Sequence, residues 1–146
     1  MEREKHMQPY EWKAQYYETD QMGIVHHSNY IRWFESARID YMDQMGIPYK
    51  EMEAQGIICP VLTASCNYRL MTYFGDTVTI APSIKAYNGI RLVLSYEVRD
   101  RETGALKADG ETSHCFLNRA GKLISLKKEA PETDAVFRRY APEKKN

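Results

Sequence analysis

Between Ser28 and Gly46, apolar residues recur at Tyr30, Phe34, Ala37, Tyr41 and Met45, which is the three-and-four spacing of one buried helical face. A side-chain oxygen of Ser28 or Asn29 can cap the start, and Gly46 is placed to end the helix in a left-handed conformation. At roughly 1.5 Å per residue, about 17 residues span about 25 Å, enough to lie across a whole sheet. After Gly56 the pattern turns extended and stays so. Segments 57–70, 76–87, 90–100 and 105–118 are separated by Tyr73-Phe74-Gly75-Asp76, Asn88-Gly89 and Arg101-Glu102-Thr103-Gly104. Asn-Gly is the strongest short-range hairpin signal. Val78 and Ile80 alternate, as do Leu92, Leu94, Tyr96 and Val98, so these residues share a face. The short separators predict antiparallel neighbours. A single apolar helix stripe and one apolar sheet face satisfy each other when the sheet curves over the helix.

The flanks add smaller pieces. Tyr10 to Tyr17 can form a strand, and Gln21-Met22-Gly23 is turn text. A short helical turn follows Pro48 through Glu53 and stops at Gly56, and 131–140 predicts a final short helix. Met1 to Pro9 and the closing APEKKN read as loose ends. The expectation is an α+β chain with about five strands and one long central helix. It forms one domain over 1–146, with a core of about 10–140.

Charge and composition narrow the function. The 146 residues carry 20 Lys+Arg against 20 Asp+Glu, a balance that argues against a nucleic-acid binder working by bulk electrostatics. Cys59, Cys66 and Cys115 are an odd number without CxxC spacing, and they read as reduced thiols of a cytoplasmic protein. No apolar run approaches the ~20 residues of a membrane span, and the N-terminus lacks a signal core.

The stretch YYETDQMGIVHHSNYIRWFESAR, residues 16–38, carries the chemistry. Glu18 and Asp20 stand between a strand and a turn, followed by Gly23 and the start of the long helix. Unpaired N–H groups and partial positive charge at a helix N-terminus can hold an oxyanion, and Asp20 supplies a carboxylate beside them. That pair suffices to hydrolyse an activated acyl bond such as a thioester. An Asp in a turn before a helix is also an ordinary cap or turn residue.

Asp20, Gly23, Ile24, Val25, His27 and Tyr30, then Trp33-Phe34-Glu35-Ser36-Ala37-Arg38, fall in register with a known signature. Cys59-Pro60-Val61 and Gly75-Asp76-Thr77-Val78 add to it. The chain resembles, from about Tyr16 to Ile124, the 4-hydroxybenzoyl-CoA thioesterase-like family of hotdog acyl-CoA thioesterases, including the Tol-Pal-associated branch. The resemblance implies a hotdog fold and Asp20 as catalytic carboxylate, either general base or nucleophile. It implies the His27 N–H as an oxyanion donor and Gly23 as the residue allowing close backbone approach. Tyr30, Thr63 and Val25 are the substrate-binding candidates, with Thr63 and Ser65 lining the pocket from a neighbouring subunit. It implies acyl-CoA as substrate, with acyl-carrier protein as another carrier, no cofactor or metal, and a homodimer or homotetramer. A non-catalytic acyl-thioester-binding module and a hotdog hydratase or dehydratase are the alternatives. The dehydratase motif is absent.

Many family members have Asp where Glu18 stands and an aromatic at His26. The side chains of His26 and His27 are expected to diverge, and no His or Cys at i+3 or i+4 completes a metal site. Glu35 is the runner-up acid, read first as an ion pair with Arg32 or Arg38. His114 reads as half-buried sheet. Lys85, Arg91 and Arg69 are candidate phosphate contacts, read first as solvated charges.

Overall fold

A computed structural model describes residues 7–142. The loose-end expectation for Met1–His6 and Glu143–Asn146 falls outside the described residues. The elements are β1 (Tyr10–Lys13), a 3-10 turn (Tyr16–Glu18), α1 (Ser28–Met45), α2 (Tyr49–Ala54), β2 (Val61–Tyr68), β3 (Thr77–Tyr87), β4 (Arg91–Asp100), β5 (Leu106–Cys115), α3 (Leu126–Glu129) and α4 (Pro131–Tyr140).

Helix α1 buries Tyr30, Phe34, Ala37, Tyr41 and Met45, the predicted stripe, and adds Trp33 and Met42. Gly46, at φ 91°, closes it with its N–H on the Asp43 and Met42 carbonyls. The start differs from expectation. Ser28 is already helical and donates its N–H to His26 Nδ1 at 3.2 Å, while the Asn29 amide donates backwards to carbonyls rather than accepting. An imidazole two residues upstream therefore does the work expected of a Ser or Asn oxygen.

All strands pair antiparallel in the order β1-β3-β4-β5-β2. Val78, Ile80, Leu92, Leu94, Tyr96 and Val98 are buried together, as their alternation predicts. The Phe34 ring stacks on Tyr96 at 4.3 Å and 7°, so the helix lies directly on β4. Two expectations change. β2 is not the neighbour of β3, because β1 already occupies that edge of β3, and β2 crosses to the free edge of β5 instead. The first strand stops at Lys13, where the Glu18 carboxylate captures the Gln15 N–H at 2.8 Å and bends the chain into the 3-10 turn.

At one end, α3 and α4 close the core, α3 being absent from the sequence reading. Phe137 packs on Tyr87 and Phe116 at 5.2 and 5.8 Å. The Tyr87 hydroxyl and Arg138 Nε both donate to the buried Asp134 carboxylate, at 2.5 and 2.8 Å.

His114 is fully buried rather than half-buried. A hydrogen-bonded line runs from Arg38 on α1 through the Tyr96 hydroxyl and Thr112 Oγ1 to His114 Nε2, and from His114 Nδ1 to the Pro60 carbonyl before β2. Burial, reinforced by the Arg38 charge, pushes the His114 pKa down to about 4. The unfolded chain therefore takes up this proton first, near the ordinary histidine pKa of about 6.5. Stability is full above that value and falls as pH drops from about 6.5 towards 4, by about 3 kcal/mol from this group. Urea midpoints measured across that range should decline in the wild type and flatten in His114→Gln. Equal slopes in both would overturn the assignment.

Candidate active site

Residues 19–25 form a miniature hairpin. Thr19 pairs with Val25, the Asp20 N–H donates to the Ile24 carbonyl at 2.9 Å, and the Gly23 N–H returns to the Asp20 carbonyl at 3.0 Å. Gly23 sits at φ 77°, and a Cβ added there would meet nothing within 4 Å. Left-handed backbone is what requires glycine here. Asp20 Oδ1 accepts N–H bonds from Met22 and Ile24 at 2.8 and 3.3 Å. Its Oδ2 has no protein partner among the described residues, and the side chain is exposed. One oxygen anchors the carboxylate and the other faces solvent.

Five residues after the hairpin tip the helix begins to offer its free amides. The His27 N–H has no protein acceptor among the described residues, and its carbonyl accepts from the Tyr68 hydroxyl at 3.3 Å. The His26 and His27 rings do not diverge as expected. They lie 4.2 Å apart at 30°, held because His26 Nδ1 accepts from Ser28.

These groups share a cleft of about 410 Å³. Asp20, Val25, His27 and Tyr30 contribute to it, so four of the candidates come together, with Gly23 shaping the loop behind them. Tyr30 is buried and donates its hydroxyl to Thr72 Oγ1 at 3.0 Å, and burial raises its pKa. Thr63 is the exception. It lies on β2 against Ser113, roughly 17 Å along the strand from Tyr68 at about 3.4 Å per residue, and does not line this cleft.

Of the facing wall, Tyr68 to Met71, the sequence reading singled out only Arg69, and only for its charge. That segment leads out of β2 and crosses towards β3. It is stitched to the hairpin by the Val25 N–H on the Thr72 carbonyl at 2.8 Å and by pairing of Ile24 with Tyr73. The one available signal was the apolar pair Leu70-Met71 placed just beyond a strand end.

The remaining candidates separate cleanly. Arg69 reaches the cleft but is paired with Asp109 at 3.0 Å, Lys85 pairs with Glu111, and Arg91 is exposed outside the cleft. Glu35 makes neither expected ion pair. It is exposed, while Arg38 turns inward to Tyr96. Cys59, Cys66 and Cys115 are unpaired, and burial pushes the Cys59 thiol up to about 12. Among the described residues no group of three or more His, Cys, Asp or Glu is arranged to hold a metal. Nor is any described helix long and apolar enough to cross a membrane.

A five-stranded antiparallel sheet curled over one central helix is the hotdog fold, and with its relatives it defines this chain as a thioester hydrolase. Residues 15–139 match the model of the Thioesterase-like superfamily, and the chain belongs to that superfamily. It is 32% identical to YneP of Bacillus subtilis, provisionally named an acyl-CoA thioesterase, across 90% of this chain and 96% of that one. A chain from Aquifex aeolicus, provisionally named an esterase, is 35% identical across 84% of this chain and 94% of its own length. The structure of DHNA-CoA thioesterase from Staphylococcus aureus superposes with a TM-score of 0.84 at 35% identity, covering 88% of this chain and 87% of that one.

Proposed function

We propose that this chain hydrolyses acyl-CoA thioesters, aliphatic or aromatic, with Asp20 as the catalytic carboxylate and the His27 N–H as oxyanion donor. The observation that carries the reading is a carboxylate with one anchored and one free oxygen, lining the same cleft as an unpaired helix-start amide. As general base, Asp20 Oδ2 takes a proton from water while the hydroxide oxygen bonds to the thioester carbon. The carbonyl oxygen gathers negative charge and accepts from His27 N–H. The C–S bond then breaks, and the thiolate receives the proton. As nucleophile, Oδ2 itself bonds to that carbon and expels the thiolate, and water then hydrolyses the anhydride. Val25 and Tyr30 form apolar wall for the acyl group.

Three further parts belong to the same reading. The Asp-x-x-Gly-Ile-Val-x-His-x-x-Tyr text supports a place beside the 4-hydroxybenzoyl-CoA and Tol-Pal-associated thioesterases. The outer edge of β2, with Val61 and Leu62 exposed, supports a homodimer or homotetramer in which a partner covers that edge and Thr63 serves a shared pocket. Three unpaired thiols support a cytoplasmic enzyme. Thiol release from a panel of acyl-CoA and acyl-carrier-protein substrates tests the activity. Turnover of at least one is expected, and binding without turnover across the panel would replace the enzyme with an acyl-thioester-binding module. Light scattering should give two or four chains, and a monomer at assay concentration would remove the shared pocket.

A further inference from the structure

Glu18 is a buried carboxylate to which the hydrolytic reading gives no task. It is 5% exposed, and its carboxylate bonds are all to N–H groups. Oε1 accepts from the Gln15 N–H at 2.8 Å and Trp12 Nε1 at 3.0 Å, and Oε2 accepts from Trp33 Nε1 at 2.8 Å. No Lys or Arg pairs with it among the described residues, so two indoles and an amide satisfy the charge. Charge-assisted bonds of this kind are roughly twice as strong as neutral ones.

The backbone of the same residue closes the hairpin that carries Asp20. The Glu18 carbonyl accepts from the His26 N–H at 2.8 Å and from the Asn29 side-chain amide at 2.9 Å. That amide also reaches the His26 carbonyl at 3.2 Å, and Asn29 is itself buried. Glu18 therefore stands at the loop entry and Asn29 at its exit. Trp12 from β1 and Trp33 from α1 grip the entry from both sides.

We infer that Glu18, held by Trp12 and Trp33 and tied to Asn29, is the positioning residue that sets Asp20 against the His27 N–H. The inference rests on the assignment of Asp20 and His27 above. Glu18 lies outside the cleft and touches no reacting atom. Its influence runs through the loop. A displacement of about 1 Å between reacting groups costs up to about 100-fold in rate, so the loss falls on kcat.

Glu18→Gln keeps the shape but presents an amide NH2 where only donors face it, leaving at least one N–H without an acceptor. We expect kcat to fall about tenfold to 100-fold, with KM for acyl-CoA within about threefold of wild type. Asn29→Asp sets a carboxylate against two carbonyls and should act in the same direction. Trp33→Phe removes one donor, keeps the carboxylate and should give a smaller fall, and it carries the test if Glu18→Gln does not fold. Asp134→Asn, which breaks the separate Tyr87–Asp134–Arg138 cluster, is the comparator. It should lower the melting temperature yet leave kcat within about twofold well below unfolding. A merely structural Glu18 would behave like that comparator. Wild-type kcat in folded Glu18→Gln, or in Trp33→Phe and Asn29→Asp if the first does not fold, overturns the positioning role. So does a raised KM with unchanged kcat. Asp20→Asn separates the two readings. Its retention of activity defeats the Asp20 assignment, whereas its loss beside a fully active Glu18→Gln defeats only this inference.

Discussion

Asp20→Asn is expected to lower kcat by about 100-fold or more while leaving the fold intact. The geometry makes this substitution unusually clean. Asp20 Oδ1 accepts from Met22 and Ile24, both N–H donors, so the Asn carbonyl oxygen takes that place and the hairpin keeps its bonds. The amide NH2 then replaces Oδ2, the oxygen without a protein partner. It can neither take a proton from water nor attack a carbonyl. Thermal unfolding should therefore match the wild type, and the lost activity should appear in kcat rather than in KM. Single-turnover hydrolysis in ¹⁸O-water then divides the two chemical roles. A nucleophilic Asp20 takes label into its own carboxylate whenever water opens the anhydride at the aspartyl carbon, and a general base never does. Unchanged turnover in the Asn variant would remove Asp20 and bring Glu35 forward.

Gly110→Ala should be strongly destabilising. A Cβ at Gly110 would lie 2.3 Å from the Ser65 carbonyl oxygen and 2.6 Å from Phe34 Cε2. Neither neighbour can give way cheaply. Ser65 belongs to β2, paired with β5 at this level, and Phe34 is stacked on Tyr96 beneath the helix. Either β2 peels from β5 or α1 lifts from the sheet. Overpacking of this kind costs about 1–3 kcal/mol, and a backbone neighbour puts it at the upper end. For a chain of this size that lowers the melting temperature by roughly 5–10 °C. Because β2 leads directly into the Tyr68–Met71 wall, turnover should drop as well. A melting temperature within about 1 °C of wild type would contradict this account of the packing.

Gly110 also marks what pattern reading does not see. Nothing local distinguishes it from other glycines, since the need for a bare Cα comes from residues far away in sequence on β2 and α1. Glu18 and His26 are similar cases. Before folding, one is an acid in a turn and the other half of a His-His pair. Only when β1 meets α1 does Glu18 gain two indoles, and only the helix start turns His26 Nδ1 towards the Ser28 N–H. Glu35 shows the reverse error. Its spacing from Arg32 and Arg38 permits a bridge, but Arg38 is drawn inward by the Tyr96 hydroxyl.

The sequence by itself determined the helix, its buried face and its glycine stop, because a 3.6-residue burial period and a left-handed turn are local properties of the chain. It also determined the hairpin turns at Asn88-Gly89 and 101–104 and the near half of the candidate site, since Asp20, Val25, His27 and Tyr30 are close in sequence. The tertiary structure decided which strand lies beside which. β1 competes for the open edge of β3 and takes it, so β2 must cross to β5. That crossing lays Tyr68 to Met71 opposite the carboxylate and turns a loop with an acid into a cleft. Edge pairing depends on which partners are left unpaired once the others have met, and no short stretch of sequence contains that information.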